Sequence, residues 1–274
     1  MKKLKFLSFV LLVSLSSLLK AESAPSNPFI ALSQLTSDDF DWIGAKIYQN
    51  EASSNPKYLT HWGKGEDFPS FGIGHFIWFP KNISPPFKET FPAMLQFVSK
   101  SSTPPKWLQT WQHAPWQSKL EFDAAQSSKE LNTLRQWLLE TKAQQAHFIA
   151  QAFEQRWQLE TATIHSERLK VLNDRLQHMM SFKQGLFAVV DYFNFKGLGN
   201  NLKEQYQGKS WGLISVLEGM PQAVFNDFTP QKGLVAFIDS AKNQLQQRTE
   251  LAPVERKESR WIPGWFARLE GYAQ

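Results

Sequence analysis

Apolar side chains recur at helical spacing from Phe40 through Ile43 to Ile47, directly behind Ser37, Asp38 and Asp39. The pattern predicts an amphipathic helix with Ser37 as N-cap and two carboxylates in its first turn. Ser53, Ser54, Asn55 and Pro56 then form a breaker cluster, which ends the helix near Asn50 and Glu51. Between Tyr58 and Pro80 the period changes. Trp62, Phe68, Phe71, Ile73, Phe76, Ile77, Trp78 and Phe79 alternate with Gly63, Gly65, Gly72 and Gly74, a mixture that predicts short strands and tight turns in a small hairpin sheet. Residues 81–117 carry repeated prolines and suit short helices broken by turns. From Gln117 to Met180 there is neither proline nor glycine, and the abundance of Gln, Glu, Leu, Ala and Lys predicts several antiparallel helices. Further helices are expected over Phe182 to Phe195, closing at Gly197, from Ser210, from Gly233 to Arg248, and around Trp265, Leu269 and Tyr272. The expectation is a mainly α (α+β) chain with a small β element near its N-terminus. It divides into residues 22–80, a helical middle at 81–181, and a helical lobe at 182–274.

Composition narrows the function classes. With 42% hydrophobic and 14% aromatic residues in 274, the chain can bury a large core, which excludes a disordered protein or a miniprotein. There is no cysteine, so disulfides, thiolate metal sites and cysteine nucleophiles are excluded together. Lys2, Lys3 and Lys5, an apolar and serine-rich run from Phe6 to Leu19, and small Ala21 have the form of a signal peptide over residues 1–21. A periplasmic or secreted location is expected. Four of the 30 basic residues lie in that segment, leaving 26 against 25 acidic ones, so the apparent basicity belongs mostly to the leader. A nearly neutral mature chain offers no electrostatic footprint for nucleic acid. No later apolar run approaches about 20 residues, and no stable membrane insertion is expected.

The most specific local chemistry is Glu51 at a helix end, followed by a glycine-rich segment with Glu66, Asp67, Ser70, Gly72, Gly74 and His75. The negative end of a helix dipole and surrounding aromatic rings both disfavour carboxylate ionisation, so Glu51 is expected to keep its proton near neutral pH. A protonated carboxyl facing a second carboxylate or a held water is the arrangement that glycoside cleavage requires. Each residue also has a plainer reading: a solvated helix end for Glu51, turn carboxylates for Glu66 and Asp67, a hydrogen-bonded structural histidine for His75. Neither HExxH nor another metal-ligand spacing is present, and no Gly-x-Ser-x-Gly elbow. No metal and no cofactor is expected.

Ile47-Tyr48, then Glu51, then Ser70-Phe71-Gly72-Ile73-Gly74-His75 together resemble the active-site helix and hairpin of phage-type lysozymes. Val189 to Gly197 resembles that family's buried helix running into a Phe-polar-x-Gly turn, and Ser210-Trp211, Arg260-Trp261, Arg268 and Tyr272 are similar to its C-terminal lobe. The resemblance spans about residues 38–80 and 182–274. It implies a lysozyme-like two-lobe fold with a helical insertion, Glu51 as general acid, and Ser70 on the water-attack face. The position of the family's aspartate falls on Lys64, so a second carboxylate is left to Glu66 or Asp67, four and three residues before Ser70.

On this reading the substrate is peptidoglycan or a related β-1,4 polysaccharide, cleaved by hydrolysis or by lytic transglycosylation. Trp62 and Trp78 are candidates for stacking on sugar faces, with Trp107, Trp111 and Trp116 widening the groove. His75, Tyr192 and Asn194 complete the substrate-binding candidates. The alternatives are a noncatalytic glycan-binding or envelope scaffold protein and an envelope-targeted toxin.

Overall fold

Thr36, one residue before the expected cap, starts the helix that carries Glu51. Its Oγ1 accepts from the Asp39 N–H at 3.3 Å, while Asp39 Oδ2 accepts from the Thr36 N–H at 3.0 Å. This reciprocal capping box satisfies two orphan donors, and Asp38 and Asp39 complement the dipole. The helix ends when Ser53 and Ser54 adopt left-handed backbones at φ 49° and 54°. The protein is described by a computed structural model over residues 27–81, 83, 88–202 and 205–274. The expected signal peptide, residues 1–21, lies outside the described residues.

In chain order the helices are α1 (Ile30–Ser33), α2 (Ser37–Ala52), α3 (Phe91–Val98), α4 (Lys119–Ala124), α5 (Lys129–Glu140), α6 (Lys142–Thr161), α7 (Ser166–Met180), α8 (Lys183–Lys196), α9 (Leu213–Gly219), α10 (Gln222–Asn226), α11 (Pro230–Leu251) and α12 (Ile262–Glu270). The strands β1 (Thr60–His61), β2 (Ser70–Phe71) and β3 (Phe76–Ile77) form one antiparallel sheet in the order β1-β2-β3. The chain is thus mainly helical with a small three-stranded sheet. No helix among the described residues is long and apolar enough to cross a membrane.

The middle region is no appendage. Helix α6 packs along α2 and also meets α8. At Gly44 a Cβ would lie 2.7 Å from the Lys142 carbonyl oxygen, so only glycine lets α2 approach the start of α6 this closely. Ile47, Phe71, Leu134, Phe153, Val190, Phe237 and Tyr272, drawn from all three segments of the chain, belong to a single buried cluster.

In the sheet, His61 pairs with Ser70 and Ser70 with Ile77, while Thr60, Phe71 and Phe76 pair in the adjacent register. Cross-strand partners share a face. Phe71 points into the core with Phe91, Trp78 and Phe122, so Ser70, His61 and Ile77 occupy the opposite face. The turn from Gly72 to His75 begins at φ 73° and finishes with His75 at φ 48°. A left-handed backbone is unfavourable for histidine by about 1–2 kcal/mol, so the surroundings must hold this turn. Gln145, fully buried on α6, does so. Its Oε1 accepts from the Ile73 N–H at 2.9 Å, and its amide donates to Leu138 O at 2.7 Å and Thr141 Oγ1 at 3.1 Å.

Candidate functional site

Asp191 sits fully buried on the apolar helix α8, where an uncompensated carboxylate is very costly. Arg268 of α12 supplies the charge, donating from Nε to Oδ2 at 2.8 Å and from Nη2 to Oδ1 at 2.9 Å, and the Tyr272 hydroxyl donates to Oδ2 at 2.7 Å. The same Arg268 Nη2 donates to Glu51 Oε1 at 2.6 Å. Asn194, one turn beyond Asp191 on α8, donates from Nδ2 to that oxygen at 3.2 Å. His75 Nε2 stands 3.7 Å from Glu51 Oε2; this atom is buried within a part-exposed ring and has no hydrogen-bond partner among the described residues. Helices α2, α8 and α12 and the turn before β3 therefore converge on one carboxyl group. Its side chain keeps 16% of its exposure, so it is reachable from solvent.

A groove of about 580 Å³ adjoins it, with His75 and Ile77 on one wall and Asn194, Lys196, Trp211 and Arg248 on the other. Glu51 meets this groove through His75 and Asn194, which line it.

Burial pushes the Glu51 pKa up, but the charges of Arg268 and His75 and the hydrogen bonds from Arg268 and Asn194 outweigh it. The net position is below the usual glutamate value, so Glu51 is a carboxylate near neutral pH. This corrects the expectation of a proton retained by the helix dipole and aromatic surroundings: an arginine distant in sequence reverses the balance. Asp191 continues to neutralise Arg268 when Glu51 is protonated, so Glu51 can gain and release a proton without stranding a buried cation. Arg268 itself is held well above its ordinary value, since Asp191 and Glu51 overcome burial. Lys196 is pushed down to about 7 by burial, then by Arg248 and Arg268, with Glu258 and Glu51 opposing.

Other expected site residues fall elsewhere. Glu66 turns back on its own loop, Oε2 accepting from the Gly63 N–H at 2.9 Å, and is exposed like Asp67; neither lines the groove. Trp62 is 4% exposed, donates to Glu66 O at 2.7 Å and packs on Phe122, while Trp78 is 1% exposed between Phe71 and Phe91. Both rings are core, which corrects their assignment to sugar stacking. Tyr192 is likewise core, its hydroxyl donating to Trp211 O at 2.8 Å rather than entering the groove. Trp116 packs against Trp107 and Phe122 instead of widening the groove. Ser70 shares a sheet face with the groove-lining Ile77 but is itself buried, at 6% exposure, and does not line the groove.

Sequence reasoning missed Asp191, Arg268, Gln145 and Lys196 as site residues. The first had a readable signal, because an aspartate within Val189-Val190-Asp191-Tyr192-Phe193 needs a buried partner. The chain matches no protein-family model, no curated protein and no solved structure. The capability of the site rests on its geometry: a largely buried carboxyl next to residues that line a groove, with its charge controlled by a buried arginine.

Proposed function

We propose that the protein is an exported, lysozyme-like enzyme that cleaves the β-1,4 glycan of peptidoglycan, with Glu51 as general acid. The observation that carries this reading is the convergence of Arg268, Asn194 and His75 on Glu51 at the edge of the groove. It is supported by the order of Glu51, Ser70 and His75 in the chain, which resembles phage-type lysozymes, and by the apparent signal peptide. Protonated Glu51 gives its proton to the bridging oxygen as the glycosidic bond breaks. Glu66 is engaged by its own turn, so a version of the chemistry needing one carboxyl is favoured: as in a lytic transglycosylase, the sugar's own hydroxyl bonds to the anomeric carbon as the bond to the leaving oxygen breaks, and the Glu51 carboxylate takes up that hydroxyl's proton. In the hydrolytic version the Ser70 face would orient water.

Glu51→Gln tests the reading because it removes the transferable proton while keeping nearly the same shape. Turnover of purified sacculi is expected to fall by roughly 10²–10⁴-fold, with melting temperature and sacculus binding retained. Released 1,6-anhydro ends identify transglycosylation, and reducing ends identify hydrolysis. The ion pair of Glu51 with Arg268 favours a second reading, a noncatalytic glycan-binding or envelope scaffold protein. That reading prevails where wild type binds sacculi without releasing soluble fragments.

A further inference from the structure

The cations of the groove differ in how they are matched. Arg248 donates to both oxygens of Glu258, at 2.6 and 3.2 Å, and Arg156 donates to Glu160 at 2.6 Å. Arg268, behind the groove, is shared by Asp191 and Glu51. Lys196, the final residue of α8, has neither an ion pair nor a hydrogen bond from its ammonium group among the described residues. Its Nζ instead stands 4.0 Å from the centroids of both Phe195 and Trp265, on the wall that Asn194 and Trp211 share. Two aromatic faces hold a cation in place but bring no counter-charge. Long lysine stems ordinarily carry the ammonium out to bulk water, whereas this one lies half-buried along a ligand-sized groove.

We infer that Lys196 is a specificity-determining residue that pairs with an anionic substituent, carboxylate or phosphate, on the glycan occupying the groove. The inference rests on the glycan reading above and narrows it to charged saccharides. The charges surrounding Lys196 are consistent with it: Arg248 and Arg268 repel its ammonium, and Glu258 and Glu51, which oppose them, are already engaged by those arginines. Burial and the two arginines leave the free amine titrating at about 7. An incoming anion favours the charged form, so binding of an anionic ligand draws a proton onto Lys196. Preference for that ligand is therefore expected below about pH 7 and should fade above it.

The test is calorimetric titration of the full mature chain with three β-1,4 N-acetylglucosamine oligomers of equal length: unmodified, carboxylate-bearing and phosphate-bearing. Wild type is expected to bind at least one anionic oligomer roughly tenfold more tightly than the neutral one at pH 6. Lys196→Met should bring that ratio close to one, and Lys196→Arg should restore most of it. Nuclear magnetic resonance of the Lys196 side chain should show its titration move upward with the preferred oligomer and stay fixed with the neutral one. Which anionic oligomer does so identifies the substituent. An unchanged ratio in a folded Lys196→Met protein, or no preference in wild type, overturns the assignment of Lys196 while leaving the glycan reading intact. Wild type that binds none of the three oligomers overturns the assignment of Lys196, and wild type that also fails to bind purified sacculi overturns both.

Discussion

At Glu51 two opposing effects can be ranked. Burial alone would protect the proton, yet one arginine hydrogen bond at 2.6 Å and a nearby histidine leave the group ionised. A general acid with a lowered pKa works best on the acidic side, because kcat/KM falls as pH rises through that pKa. Substituting His75 by glutamine removes a charge that lowers the Glu51 pKa, so under the proposed general-acid role the alkaline limb of the kcat/KM profile should move to higher pH. A profile that stays in place would show that His75 does not influence the reacting proton. The position of Glu51 was legible from a local pattern, a helix ending in a breaker cluster. Its charge was not, because Arg268 lies 217 residues away. Trp62 and Trp78 misled for the same reason: a ring in a glycine-rich stretch reads alike whether it lines a groove or fills a core.

Among elements, the helices were largely legible because caps and breakers act locally. Gly197, at φ 66°, closes α8 where the sequence expects. The turn between β2 and β3 was harder, since its left-handed His75 depends on Gln145 from α6. Replacing Gln145 by leucine leaves the buried Ile73 N–H without a partner, which should cost about 1–3 kcal/mol. Urea unfolding measures that loss, and a parallel fall in turnover would show that the turn orients His75. An unchanged midpoint would mean that another group satisfies the Ile73 amide. Glycine spacing announced a tight turn without revealing which helix would support it.

Across the whole molecule, the buried charges join parts of the chain that no local pattern relates. Arg268→Met leaves Asp191 and Glu51 without their common cation, and breaking a buried pair in this way should cost about 3–5 kcal/mol. Adding Asp191→Asn should recover part of that loss, because the burden is the abandoned carboxylate more than the missing contact. Thermal melts of the two single variants and the double variant provide the cycle, and strictly additive losses would argue against coupling. The mainly helical class with a small sheet was readable from hydrophobic periodicity and glycine spacing. The union of all three segments in one core was not, because it depends on α6 packing against both α2 and α8.

The shared guanidinium also makes closure of the fold depend on its last helix. Chain order sets α2 and α8 well before α12, so a chain that stops short of α12 carries two acids meant for one base that it lacks. Chains without α12 should stay loosely closed, and the surroundings of Glu51 should set only when the arginine is present.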